Sequence, residues 1–331
     1  MFLVESKKLR NVRESKIVEL VEREGYLADI EFDNKGLSLD EIHIAAVLML
    51  ERAAPGGVFS DKAGLVALFE FVESLRAVYK SNPYHDFRHA VDVMQFMNHL
   101  LSREDIAQRV SQQGLMCSGD ELRFMMLVAC LCHDAGHDGM TNMFHRKTQS
   151  EVFEKFGSES TLERLHAYHA ENLLEASPLL DILKDAPNLK MDATQFVQEV
   201  RSVILATDME KHAALLAAFK ASPSAQLLNV FIKISDISNV ARTFEEAKVW
   251  AKRLEAEQKL AASRWPADMP APAPMPLAQS VIGFSKMFAL PMVDALVEAG
   301  LQDSARELRA RIERNIAEWE RFQNDCINPG L

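Results

Sequence analysis

An apolar run, Phe124-Met125-Met126-Leu127-Val128, leads within a few residues to an adjacent histidine and aspartate, His133-Asp134, and His137 follows one helical turn later. Imidazole nitrogen beside carboxylate oxygen suits a borderline or hard divalent cation, and a carboxylate has two oxygens with which to bridge two of them. Two other stretches repeat the pattern. His85 and His89 stand four residues apart and share a face if helix has begun there, while Asp236 closes the run Leu227 to Ile234. A lone buried histidine more often satisfies a backbone carbonyl than binds metal. Three coincidences at the ends of apolar segments are improbable together, because a charge there is costly unless paired or metal-bound. Two histidines and two carboxylates make a mixed nitrogen and oxygen shell appropriate to zinc, and a bridging aspartate would hold a second, harder ion such as magnesium or manganese. Two cations about 3.5–4 Å apart lower the pKa of a shared water and stabilise both oxygens of an in-line displacement at phosphorus. Phosphoester hydrolysis is the chemistry indicated.

The elements that must position these groups read as helices. Residues 1–39 form a leading helix, with Ile17-Val18 and Leu20-Val21 at helical spacing, and a loose segment. Ser38-Leu39-Asp40-Glu41 is a capping signal before the run Ile42 to Leu50, and Pro55-Gly56-Gly57 ends that helix. Another helix is expected from Ser60 to about Lys80. The Ser81-Asn82-Pro83 break precedes the helix begun by the His85/His89 stretch, which should end in the polar stretch from Ser102 to Asp120. Residues 121–132 deliver His133 and Asp134. A helix starting near Leu162 ends at Ser177-Pro178, and residues 193–220 read as one helix with Thr207 and Asp208 needing partners inside it. The LLNVFIKI run at 227–234 fits strand or helix by periodicity; with no second strand-like segment to pair with, helix is the reading. A charged helix spans 244–260. Five prolines between Pro266 and Pro276 make an extended loop, and two last helices cover 278–299 and 303–324. The fold class expected is all-α.

Composition bounds what such a chain can do. Its 331 residues, 48% hydrophobic and 26% charged, suffice for a substantial core, and no low-complexity linker divides them. A formal charge of −11 argues against a nucleic-acid or anionic-membrane surface, although bound cations can still attract an anionic substrate. The four cysteines, Cys117, Cys130, Cys132 and Cys326, are too few for a disulfide framework, and Cys130 and Cys132 are read as core residues rather than ligands. No apolar run reaches the ~18 residues of a membrane span, and the amino terminus lacks a signal-peptide core. No integral membrane segment and a cytoplasmic address are therefore expected.

The order Tyr84-His85-Asp86-x-x-His89-Ala-x-Asp92-Val, then His133-Asp134-x-x-His137-x-Gly139-x-x-Asn142, then Thr207-Asp208-Met209 and Ser235-Asp236-x-Ser238-Asn239, resembles the class I cyclic nucleotide phosphodiesterase catalytic domain. The resemblance covers about residues 40–325, leaving 326–331 as a tail. It implies a compact multi-helix HD-type fold with a two-metal site in a deep pocket, and hydrolysis of the 3′,5′-cyclic phosphate of cAMP, cGMP or both to the 5′-monophosphate. By position, it implies His89, His133, Asp134 and Asp236 as ligands of a tight Zn2+ site, with Asp134 bridging to Mg2+ or Mn2+. His137, Asn142, Glu163, Thr207 and Asp208 would orient the waters of that second ion. His85 would be the general acid that protonates the departing O3′, with Glu163 as the partner keeping it protonated. His166 and His169 lack motif positions and are read as packing or surface residues. Asp86 stands where the family usually has Asn, a near-isosteric change.

For the nucleotide, the resemblance implies Tyr84, Asn239, Leu254, Phe284 and position 281 as substrate contacts, with Leu254 and Phe284 clamping the purine. The family's purine-binding Gln, three residues before the Phe, is Val281 in this chain, and Gln279 lies roughly 200° away on a helix. Loss of that amide removes about 1–3 kcal/mol of base recognition and predicts weak cAMP/cGMP discrimination with a raised KM. The proline-rich loop is a connector or a wall of the pocket. Two alternatives stay open: another HD-type nucleotide phosphohydrolase, and a cyclic-nucleotide-binding domain with reduced turnover. Family members usually carry regulatory domains outside the catalytic domain, and none is visible in this sequence.

Overall fold

The computed structural model describes residues 25–327 apart from 113–118, 188, 270 and 274. The expected leading helix up to residue 24, Cys117, the side chain of Cys326 and the last residues of the tail lie outside that description. Among the described residues there are helices and turns and no strand.

Local signals set most helix starts. Ser38 and Glu41 form a reciprocal capping box at the start of α1 (Leu39–Ala53), and Asp61 caps α2 (Lys62–Val78). Asp86 caps α3 (Phe87–Leu101) by accepting from the His89 amide at 3.0 Å. A short α4 (Glu104–Gln112) follows, inside the stretch expected to be a polar break. It buries only Ile106, and Asp105 ties it to the far end of the chain by accepting from the amide and hydroxyl of Ser304. The helix is polar overall, so it reads as part of the polar stretch.

At the centre lies α5 (Gly119–Cys132), buried along most of its length and packed against α1, α3 and the later α10 (Ala193–Leu205). Cys130 and Cys132 are fully buried free thiols inside this helix. Around it run α6 (Asn142–Thr148), α7 (Glu151–Phe156), α8 (Thr161–Ala176) and α9 (Leu179–Leu183). The helix expected over 193–220 is two, α10 and α11 (His212–Ala221), separated by a 3-10 turn. The two polar residues make the break: Thr207 Oγ1 donates to the Ile204 carbonyl, and Asp208 Oδ1 accepts from the Glu210 amide to cap the turn.

The run at 227–234 is helical, within α12 (Pro223–Asp236), and α13 spans Phe244–Ser263. The apolar stretch after the proline-rich loop comprises α14 (Leu277–Phe284), a π turn at Ser285–Ala289 and α15 (Leu290–Glu298), before the terminal α16 (Gln302–Ile327). Against expectation, the segment Leu277–Glu298 is long and apolar enough to cross a membrane, with a mean hydropathy of 1.5. That holds by length and composition only; α14, the π turn and α15 all pack on α16.

Candidate active site

The amino terminus of α3, the carboxy terminus of α5 and the carboxy terminus of α12 meet at one point. His89 Nε2 and His133 Nε2 each lie 3.2 Å from Asp236 Oδ1, and Asp134 Oδ2 lies 3.2 Å from His133 Nε2 and 3.6 Å from His89 Nε2. One ligand atom from each of the four lies within 4.8 Å of all the others. His133 Nδ1 is 2.7 Å from the Cys130 carbonyl, which assigns the proton of a neutral ring to Nδ1 and leaves the Nε2 lone pair facing the carboxylates. A neutral ring facing carboxylates needs a cation between them. Without a metal His133 is itself that cation: burial opposes its charge, but Asp134 and Asp236 outweigh it and raise its pKa well above the usual imidazole value. Asp134 Oδ2 is buried with no hydrogen-bond partner. The donor set therefore fits a divalent metal. Burial opposes ionisation of Asp134 and Asp236, but His133 outweighs it and holds both well below the usual carboxylate range.

Asp134 also belongs to a second group, with His137 and His166, whose ligand atoms again lie within 4.8 Å of one another. Its Oδ1 is 3.7 Å from His166 Nε2, while His166 Nδ1 donates to the Ala135 carbonyl at 2.8 Å. One aspartate thus turns an oxygen toward each group. The expectation for His166 is corrected: it is 2% exposed and faces the site. A histidine three residues after Glu163 on a helical face was the available signal, hidden because α8 carries no other mark of chemistry. His169 is packing, as expected; a Cβ on Gly136 (φ +81°) would come within 2.6 Å of its ring, so the turn between Asp134 and His137 requires glycine.

His85 is partnered by Glu257 of α13, correcting the expectation of Glu163. Glu257 Oε1 pairs with His85 Nδ1, and Oε2 accepts from the amides of Tyr84 at 2.8 Å and His85 at 3.0 Å. Sequence reasoning missed Glu257 because α13 is rich in charges and this carboxylate lies 172 residues from His85. Burial lowers the His85 pKa, but the charge of Asp134 and the Glu257 contact prevail and raise it overall; His85 in turn holds Glu257 down to about 2, against its own burial. The His137 ring stacks on His85 at 4.0 Å, and Asn82 joins the two loops by donating to the carbonyls of both residues. Asp86, besides capping α3, accepts from Arg253 Nη2 at 2.6 Å, an ion pair open to a carboxylate and closed to an amide.

Glu163 lies elsewhere in the site, accepting from Asn142 Nδ2 at 3.0 Å, while Asn142 Oδ1 accepts from the Leu162 amide. Burial, then the charge of Asp208, push Glu163 up to about 7. Asp208 Oδ2 accepts from Ser160 Oγ at 2.7 Å. A fully buried lysine, Lys233 of α12, donates to the Thr207 carbonyl at 2.5 Å. Within an apolar run it carried no signal in the sequence.

The expected nucleotide contacts divide. Tyr84 is buried against the rings of His85, His89 and Trp250, where it supports the imidazoles instead of opening to a substrate. Asn239, Leu254 and Phe284 are half-buried, and Phe284 packs against Phe288 with centroids 5.2 Å apart. Val281 joins a small apolar cluster with Ala251, Ala278 and Trp319, and Gln279 is exposed.

Residues 84–308 match the family model described as 3′,5′-cyclic nucleotide phosphodiesterase. The chain belongs to that family. Among its relatives, the 3′,5′-cyclic-nucleotide phosphodiesterase regA of Dictyostelium discoideum is 30% identical over 243 residues, covering 69% of this chain and 29% of that protein. The human high affinity cGMP-specific 3′,5′-cyclic phosphodiesterase 9A is 28% identical over 236 residues, covering 66% of this chain and 38% of its own length. This phosphodiesterase family member therefore spans well under half of either relative. Among solved structures, the phosphodiesterase domain of a RhoPDE fusion protein from the choanoflagellate Salpingoeca rosetta superposes with a TM-score of 0.74 at 26% identity, covering 89% of this chain and 94% of that one.

Proposed function

We propose that residues 40–325 are a catalytic domain that hydrolyses 3′,5′-cyclic nucleotides, cAMP and cGMP with weak discrimination, to their 5′-monophosphates. The observation that carries this reading is the single carboxylate of Asp134 turned toward two ligand groups, with the His85 imidazole beside them. In this reading His89, His133, Asp134 and Asp236 would hold Zn2+, and Asp134 would help hold Mg2+ or Mn2+ among groups arranged by His137, His166, Asn142, Glu163, Thr207 and Asp208. When bound, such ions would neutralise the cyclic phosphate and supply an acidified water as nucleophile.

The chain's own residues do the remaining work. Glu257 fixes the His85 ring through Nδ1 and favours the imidazolium, leaving Nε2–H to protonate O3′ as its bond to phosphorus breaks. The Glu257 carboxylate favours the protonated ring. Leu254 and Phe284 grip the base by its faces, which every purine offers alike, and Val281 adds no hydrogen bond to its edge. The relatives named above include a cGMP-specific enzyme, so base preference in this chain depends on its own pocket. A cytoplasmic address is part of the proposal and accords with the free thiols of Cys130 and Cys132.

Product analysis with cAMP and cGMP, with and without chelator, tests the reading. Chelator-sensitive release of 5′-AMP and 5′-GMP at comparable kcat/KM is expected. Binding without product would overturn it, as would turnover only of other nucleoside phosphates.

A further inference from the structure

Ser160 stands at the capping position of α8 and does not cap it: its side chain accepts from no amide of that helix. Its hydroxyl is turned away, donating to Asp208 Oδ2 at 2.7 Å, and the residue is 3% exposed. The cap comes from another element. Asn142, the first residue of α6, accepts from the Leu162 amide through Oδ1 at 2.9 Å and donates through Nδ2 to the Glu163 carboxylate at 3.0 Å, so one side chain does the work of a capping box from outside the helix. Ser160 also takes a left-handed backbone, φ 48° and ψ 46°, where a Cβ is unfavourable. Glycine would serve that backbone better, so what serine contributes is the hydroxyl. A residue that departs from two local preferences at once is held by its surroundings.

Those surroundings belong to the site. Asp208 is engaged on both oxygens, Oδ2 by Ser160 and Oδ1 by the Glu210 amide at 2.8 Å. From this junction α8 continues without a break through Glu163 to His166, within two turns of Ser160, and His166 Nε2 lies 3.7 Å from Asp134 Oδ1. A helix moves as a rod, so its first residues decide where both side chains stand. None of His89, His133, Asp134 and Asp236 lies on α8.

We propose that Ser160 is a positioning residue for the reaction: by tying the start of α8 to Asp208, it sets where Glu163 and His166 stand relative to Asp134. The inference rests on the two-metal reading above, in which the group of Asp134, His137 and His166 serves the second cation. Its consequence is selective. A loosened α8 disturbs that group and leaves the four-residue group in place.

The test is Mn2+ binding to the zinc-loaded full chain at pH 7, read by the electron paramagnetic resonance of free Mn2+, with zinc content, melting temperature and the KM for cAMP measured beside it. Ser160→Ala removes the hydroxyl and keeps the unfavourable Cβ, whereas Ser160→Gly removes the hydroxyl and relieves the backbone, so the glycine variant keeps the fold. Both should bind Mn2+ about tenfold more weakly than the native chain, the size expected for loss of one hydrogen bond to a charged acceptor, with full zinc and a KM within twofold of native. A merely structural role would lower the melting temperature and leave Mn2+ affinity alone. Native Mn2+ affinity in the glycine variant would overturn the proposal, as would loss of zinc from it, because the disturbance would then not be confined to α8. No Mn2+ site in the native protein would instead bring down the two-metal reading itself.

Discussion

The side of the site proposed to hold metal and the side proposed to meet the base are built on opposite principles. On the first, nearly every polar atom is buried and held by a named partner: His133 by the Cys130 carbonyl, His166 by the Ala135 carbonyl, Asn142 by Glu163 and the Leu162 amide, and His85 by Glu257. On the second, Asn239, Leu254, Phe284 and Val281 are half-buried, and the one side chain expected to fix the base edge is aliphatic. A buried polar network tolerates little change, because each lost partner leaves another group unsatisfied. An apolar clamp tolerates much. The chemistry should therefore be sensitive to single atoms and the specificity easy to move.

The comparison breaks most sharply at Asp236. Asp236→Ala removes a carboxylate from the four-ligand group and should lower kcat by more than about 10³-fold, with loss of bound zinc measured by elemental analysis. Full zinc content with normal turnover would show that the four-residue group is not the metal site. His85→Gln comes next. Turnover should fall about 10²–10⁴-fold with the metal retained, as expected for loss of a general acid alone. Glu257→Gln should cost about 10–100-fold and also change the pH profile. Catalysis needs His85 protonated, so activity declines as pH rises through its pKa. Glu257 raises that pKa, and its removal should move the alkaline limb of kcat toward lower pH; an unmoved limb would refute the pairing.

On the base side the effect should fall in binding. Val281→Gln should reduce KM about 5- to 100-fold, the equivalent of ~1–3 kcal/mol, with kcat nearly constant. The cluster around Val281 already contains an indole donor, Trp319 Nε1, that is buried with no acceptor, and a glutamine carbonyl oxygen there would offer it one. An unchanged KM would mean that position 281 does not meet the base. The smallest effect is expected at Asp86→Asn. Asparagine still caps α3 but loses the partly exposed pair with Arg253, so the melting temperature should reflect less than about 1 kcal/mol and turnover should change less than twofold. A larger loss would make that pair part of the site's rigid half.

The sequence was most legible where residue type and spacing act together. The offsets of His85, His89, His133, Asp134 and His137 put imidazoles and carboxylates at the ends of apolar helices, and the capping signal at Ser38 marks where one helix begins. Asp236 was legible for the same reason. Glu257 and Lys233 were not, one lost among the charges of α13 and the other inside an apolar run. Thr207 and Asp208 announced a need for partners without revealing that they end a helix. Tyr84 sat inside the motif and packs against the imidazoles of His85 and His89.

By itself the sequence determined the helical class, the side chains available as ligands and the valine at position 281, because these depend on local periodicity and on which side chains are present. Only the tertiary structure decided that Asp134 faces two groups at once, that Glu257 and not Glu163 holds His85, and that His166 and Lys233 belong to the site. Those facts are distances between residues far apart in the chain. They arise when the helices close on one another, and no spacing along a single helix encodes them.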